Sequence, residues 1–501
     1  MNPECSYVCA NIQGSNDKKC PYYHQLKDGS REKGNIIAIR DCPVKYWFFI
    51  PIINSDGIPS TNHLVIISKG IHNHPPPPLQ RIAPDLRVKI LNAAHDYGLP
   101  EATARKLFAS SHIPIMLNGQ EELTNHHLSL FNQSSINHII RTERLKEYPF
   151  GTDFLGVQHV MTRQNPSDPY IRSATMYPDG QFMVLCQLKQ QSQLLFQADE
   201  LHVDKTFKRT NCQELEINVY SHESRRIGTI ARVFTDSEDE IGYYRAFSLI
   251  FKTAEQDVGR KLPWGHLTPI GTAIQRIKAI LVDEHGGQIK GLARYLGEEN
   301  PTRTAESHIL AIVKTCRVHY ERSLHKLEAK GISQGSLCIQ YILIIELCDK
   351  LRVLPHVTQK KVYLETLYEV QTIAESQQLT VLLNWLKHKD NNPWVLKCLS
   401  RATTEMSEHD WKTTSFTTNI AESAHALSQR EGKKLSLLAA IQKGKNVDHR
   451  FLLQYQATCN YGVTANYGNT FMSGRKALAL TRQKAKARKI AAKNKGQSGE
   501  D

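Results

Sequence analysis

Three carboxylates stand where metal-assisted chemistry could gather them: Asp204 in "ELHVDKTF", Asp283 at the end of "KAILVD" and Glu422 in "TTNIAESAHA". Strand alternation puts Leu201, Val203, Lys205 and Phe207 on one face of the first stretch and His202, Asp204 and Thr206 on the other. Asp283 closes a nearly continuous apolar run, as in a strand covered on both faces. A carboxylate at the C-terminal end of such a strand, beside a Gly pair, sits where sheet-based sites collect ligands. Each acid alone also has a plainer reading. Asp204 is then a solvated edge residue, Asp283 a cap of the helix that follows, and Asn419 with Glu422 the two ends of a capping box. Together they can do more, because acids on an early strand, a later buried strand and a late helix can converge on two divalent cations about 4 Å apart. That arrangement clamps a phosphodiester during in-line displacement. Hard Mg²⁺, or Mn²⁺ in its place, suits such oxygen ligands.

The elements that must position these acids can be read from periodicity. "YIRSATMYPDGQFMVLCQL" forms a hairpin turning at Pro178-Asp179-Gly180, and strands continue through "LLFQADELHVDKTFKR" and "ELEINVYSHESRRIGTIARVFTDS". A helical stripe of Ile241, Tyr244, Phe247 and Phe251 follows, then the buried strand ending at Asp283. Beyond about residue 300 the pattern is mostly helical. The expectation is an α+β, multi-domain chain whose residues 151–460 form a mixed sheet flanked by helices, with a helical insertion.

Residues 1–80 are turn-rich and short-stranded, and Pro75 to Pro78 make a stiff linker. Residues 81–150 read as helices, with Leu86, Ile90, Leu91 and Ala94 on one stripe and a break at Gly98 and Pro100; a helix-turn-helix and a plain helical connector both fit. Residues 461–501 form a basic tail in which Ala alternates with Lys and Arg.

Composition narrows the function. Across 501 residues, 63 Lys and Arg against 49 Asp and Glu give a formal charge of +14, which favours a polyanionic partner. The 11 cysteines are odd in number and scattered, unlike a stapled secreted scaffold, so a reducing compartment is expected. No apolar run reaches the ~18 residues of a membrane span, and the start lacks a secretory pattern, so a soluble intracellular protein is expected.

Taken in order, "LHVDKTFKR", "KAILVDEHGGQIKGL", "KTCRVHYERSL" and "TTNIAESAHA" resemble the signatures of Mutator-like element transposases, over roughly residues 150 to 450. The resemblance implies a ribonuclease-H-like domain with Asp204, Asp283 and Glu422 as its acidic triad and Cys316 with His319 as its Cys-x-x-His motif. Lys205 stands where the family often has a small residue, and Val318 where it often has an aromatic; alternation turns Lys205 away from the triad. For Cys316 and His319 a zinc-binding role and a packed structural role are both open.

The amino-terminal "DCPVKYWFFIPI" and "HLVIISKGIHNHPPPP" resemble WRKY-GCM and FLYWCH zinc fingers. Cys42, His72 and His74 match the Zn²⁺ ligands; Cys20 is our choice for the fourth, with His24, Cys9 and Cys5 as competitors. Lys45, Tyr46 and Trp47 would then read DNA as a β-ribbon. Arg482, Lys484, Lys486, Arg488 and Lys489 would add phosphate contacts, and "RQKAKARK" suits nuclear import. The family resemblance implies a nuclear enzyme that binds terminal inverted repeats and target DNA as a homo-oligomer and carries out strand cleavage and strand transfer. The alternative is a domesticated descendant that binds DNA as a transcriptional regulator without catalysis. A host nuclease of the same superfamily fits less well with the finger and the Cys-x-x-His pair.

Overall fold

Alternating residues in 171–235 produce five strands, and in the last three of them polar residues such as His202, Glu214, Glu216, Asn218 and Arg232 turn out to be buried. In the computed structural model of the protein, the described residues are 23–25, 31–33, 43–49, 65–71, 82–112, 130, 132–207, 209–268, 275–333 and 338–463. The chain divides into two compact units, Met1–Ala94 with Thr103–Ile140 and His95–Ala102 with Arg141–Asp501.

The first unit contains two antiparallel strand pairs. β1 (Tyr23–Gln25) pairs with β2 (Arg31–Lys33), and β3 (Lys45–Phe49) with β4 (Val65–Lys69), Lys45 lying opposite Lys69. The short strands expected in this region are thus present, and Tyr46 and Trp47 are exposed on β3. Helix α1 (Pro84–Tyr97) buries Leu86, Ile90, Ala93 and Ala94 and stops before Gly98, whose φ of 107° favours glycine. Helix α2 (Ala104–Phe108) is capped by Thr103, which accepts from the Lys106 N–H. Its Ala104 N–H donates to Asn137 of helix α3 (Gln133–Glu147) at 2.8 Å.

The second unit is α+β, built on one seven-stranded mixed sheet flanked by helices. β5 (Ile171–Met176) and β6 (Phe182–Cys186) form the expected hairpin, with Gly180 at φ 82° in its turn. β7 (Glu200–Thr206), β8 (Gln213–Ser221) and β9 (Arg226–Thr235) are an antiparallel meander. β10 (Ala279–Val282) then adds parallel to β7, and β11 (Val313–Thr315) parallel to β10. The order across the sheet is β11-β10-β7-β8-β9-β6-β5. Such parallel neighbours require crossover connections, supplied here by helices.

Both faces of the sheet are covered. Before β7 lie helices α4 (Phe154–Arg163) and α5 (Lys189–Leu195); α6 (Glu240–Val258) and α7 (Gly286–Glu299) pack together on the face to which Lys205 points, its Nζ 4.8 Å from the Tyr243 ring. The chain continues through α8 (Ala305–Ile312), α9 (Arg317–Ser333), α10 (Cys338–Val353), α11 (Lys360–Ser376), α12 (Thr380–Asp390), α13 (Pro393–Lys397) and α14 (Glu408–Thr413). Four of these, α9 to α12, share a core of their own that includes Tyr320, Leu324, Leu347, Leu351, Val370 and Leu382. Lys389, on α12, donates to Glu284 at 2.6 Å and ties this helical part to the end of β10. Finally α15 (Asn419–Arg430) and α16 (Leu437–Tyr461) cover the Asp204 face.

Several expectations shift in detail. Leu194 and Leu195 are helical rather than strand. The stripe that α6 buries is Tyr243, Phe247, Ile250, Phe251 and Ala254, while Ile241 is exposed, because the apolar face is rotated about one residue from the one expected. Phe207, placed with the core residues by alternation, lies just past β7 and is 59 % exposed. Among the described residues no helix is long and apolar enough to cross a membrane.

Candidate metal centre

Parallel pairing sets the first two acids. Leu281 of β10 lies level with His202 of β7, so Asp283 and Asp204, each two residues further on, come level at the carboxyl end of the pair. The Asp283 charge acts directly on Asp204 there. Burial and the neighbouring Asp283 charge push the Asp204 carboxyl up to about 7, although His425 and the Lys205 N–H pull it down. Two carboxylates brought together in a buried site behave this way.

The plainer readings of the other two acids do not hold. Asp283 is not a cap, because the N-cap of α7 is His285. Asn419 is the first residue of α15, whose N-cap is Thr418, and no capping box forms there. Glu422 instead sits in the first turn of a helix packed on β7 and β8. The loop before that helix is pinned by Glu200, which accepts from the Ser415 N–H at 2.7 Å and the Ser415 hydroxyl at 2.6 Å. Burial works against ionising Glu200, yet its bonds to His202 and Ser415 hold the carboxyl at about 2.

The Cys-x-x-His pair belongs to the same centre. Cys316 follows β11 directly and is buried, and His319 lies in the first turn of α9. His319 Nδ1 is 2.8 Å from Asp283 Oδ1, and its Nε2 is 3.7 Å from Glu422 Oε1. One imidazole therefore separates Glu422 from Asp283. The bonds to Asp283 and Cys316 raise the His319 pKa to about 10. Burial opposes ionisation of the Cys316 thiol, but hydrogen bonds from His319 and Thr418 outweigh it and lower its pKa. Among the described residues, Asp283, Cys316 and His319 bring one ligand atom each within 4.8 Å of one another, close enough to hold a metal ion.

Side chains that sequence reasoning passed over complete the surroundings. His425 lies between Asp204, at 3.4 Å, and Glu216, at 3.2 Å. Behind it runs a fully buried charge network. Arg232 bonds Glu216, Glu214 at 2.9 Å and Asp448 at 2.8 Å; Arg209 bonds Glu214 at 2.6 Å; and the Tyr170 hydroxyl donates to Asp448 at 2.7 Å. Arg322, one turn after His319, pairs with Glu422. Helical spacing was the available signal: His425 is three residues after Glu422, and Arg322 three after His319, so each pair shares a face. Nothing in the alternation of β8 and β9 marks Glu214, Glu216 and Arg232 as buried rather than solvated.

The structure thus brings Asp204, Asp283, Glu422, Cys316 and His319 into one centre at the carboxyl ends of the parallel strands. Lys45, Tyr46 and Trp47 lie on the exposed β3 of the other unit. Cys20, Cys42, His72, His74, Arg482, Lys484, Lys486, Arg488 and Lys489 lie outside the described residues. No protein-family model matches the chain, and no curated protein matches it either.

Proposed function

We propose that this chain is a DNA transposase of the Mutator-like DDE type, binding terminal inverted repeats and target DNA and carrying its chemistry on a ribonuclease-H-like core. One observation carries the reading. Asp204 and Asp283 come level at the ends of adjacent parallel strands, with Glu422 one imidazole away on a helix packed on β7 and β8. The strand arrangement supports it too, since a meander extended beyond its first strand by two further parallel strands is what such a core requires.

Asp204, Asp283 and Glu422 would hold Mg²⁺ or Mn²⁺, which supplies Lewis-acid charge to the phosphodiester and to the attacking and leaving oxygens. The donor set fits a hard cation, because two of its three carboxylates already repel each other for want of positive charge. The chain's own residues do the positioning: His425 orients Asp204, Glu200 fixes the loop that delivers Glu422, and Arg322, about half exposed, offers a guanidinium beside the centre to substrate phosphate. Zinc binding by Cys20, Cys42, His72 and His74, β-ribbon contacts from Lys45, Tyr46 and Trp47, and nuclear import through the basic tail complete the proposal.

A second reading, a domesticated DNA-binding regulator, is favoured by one feature. Asp283 and Glu422 are already matched by His319 and Arg322, as in a centre that no longer takes up metal. Cleavage of a repeat-end duplex by the full chain in Mg²⁺ separates the two. Asp204→Asn, Asp283→Asn and Glu422→Gln should each reduce cleavage to background while duplex binding persists. Cleavage unchanged by all three overturns the triad, and tight duplex binding with no cleavage by the parent chain supports the regulator.

A further inference from the structure

Cys316 and His319 leave a question that a hard-metal triad does not answer: why a thiol and an imidazole converge on one of its carboxylates. β10 and β11 run parallel with Val282 level with Thr315, so Asp283 and Cys316, each the next residue, emerge side by side. The following turn of α9 brings His319 Nδ1 to 2.8 Å from Asp283 Oδ1. Over these three atoms hangs the buried hydroxyl of Thr418, 3.3 Å from Cys316 Sγ, 3.3 Å from His319 Nδ1 and 3.4 Å from Asp283 Oδ1. A carboxylate, a thiol, an imidazole and a hydroxyl therefore converge on one place. The ligand atoms of Asp283, Cys316 and His319 all lie within 4.8 Å of one another, close enough to share one zinc ion at bonds of about 2.0–2.3 Å.

We infer that Asp283, Cys316 and His319 form a second metal site, selective for a thiophilic dication of the zinc class, with Thr418 Oγ1 beside the fourth position. A thiolate and an imidazole select against Mg²⁺ and for Zn²⁺, and three protein ligands leave one position open. The site joins the ends of β10 and β11, the start of α9 and the N-cap of α15, and so clamps the helix that carries Glu422. Asp283 is shared between the two metal classes. That consequence rests on the proposed transposase reading, whereas the site itself does not.

Metal content and cadmium NMR of the full chain test the inference. In a Cys20→Ser/Cys42→Ser background, which removes both thiols of the amino-terminal ligand set, the cadmium-loaded chain should show a single-thiolate resonance that disappears when Cys316→Ser is added. The parent chain should lose about one equivalent of zinc on Cys316→Ser with His319→Ala. Unchanged zinc content in that double variant, or no single-thiolate resonance in the Cys20→Ser/Cys42→Ser chain, overturns the site. If the double variant does not fold, the cadmium spectrum of the Cys20→Ser/Cys42→Ser chain decides. Zinc uptake here without cleavage of any duplex would sink the transposase reading and leave the site standing; Mg²⁺-dependent cleavage without zinc uptake would do the reverse.

Discussion

The raised pKa of Asp204 makes a direct prediction. The folded carboxyl keeps its proton up to about pH 7, whereas the ordinary value is 3.8. Between those values the folded state binds more protons than the unfolded one, so the contribution of Asp204 to stability is complete below pH ~4 and is lost as pH rises through about 7. In chelator, Asp204→Asn should melt higher than the parent above pH 7 and close to it near pH 4; equal melting at both pH values refutes the assignment. Saturating Mg²⁺ should close the gap at high pH by supplying the missing positive charge. His425 acts on the same carboxylate. Its replacement by Ala should raise the Mg²⁺ concentration for half-maximal cleavage roughly 10- to 100-fold, as loss of a ligand-orienting partner does, with little change in melting temperature. An unchanged metal requirement would count against its orienting role. The acids became legible in the sequence only as a set, through the family resemblance that groups them, because each alone also has a plainer reading. His425 and Arg322 did not, since a His or Arg on a helix declares a partner only once the opposing strand or helix is in place.

Helix packing and the buried network decide stability one level up. A Cβ added to Gly291 of α7 would lie 2.6 Å from the Tyr244 nitrogen and 2.8 Å from the Glu240 carbonyl oxygen of α6. Backbone atoms have nowhere to go, so Gly291→Ala should destabilise by about 1–3 kcal/mol despite the better helix propensity of Ala. Denaturant unfolding measures this, and a stabilised variant would show that the two helices are not in contact. On the other face, Arg232→Met strands Glu214, Glu216 and Asp448 in a buried site. A loss of about 3–5 kcal/mol is expected, the cost of an uncompensated buried charge, and a neutral effect would mean that the network is not closed to water. Strand alternation identified β8 and β9 correctly but said nothing about which face met solvent. Glu214 and Glu216 have the pattern of a wet face, and only α15 and α16 lying over them make it dry.

For the molecule as a whole, the +14 charge is the most general statement that the chain makes. Binding to duplex DNA should weaken steeply with salt, and removal of residues 464–501, rich in Lys and Arg, should flatten the slope of log affinity against log salt. A slope unchanged by that deletion would assign the contacts to other surfaces. Periodicity, turn residues and charge are local properties, and they determined most of the elements, the strand that runs up to Asp283 and the expectation of a polyanionic partner. Tertiary structure alone decided the rest. The parallel register of β7, β10 and β11 made Asp204, Asp283 and Cys316 neighbours, α15 delivered Thr418 and Glu422 to them, and the covering helices turned an apparently solvated face into a buried charge network. The physical reason is distance along the chain. Residues 204, 283, 316 and 422 belong to elements whose local preferences are satisfied separately, and their chemistry appears only when the sheet aligns them.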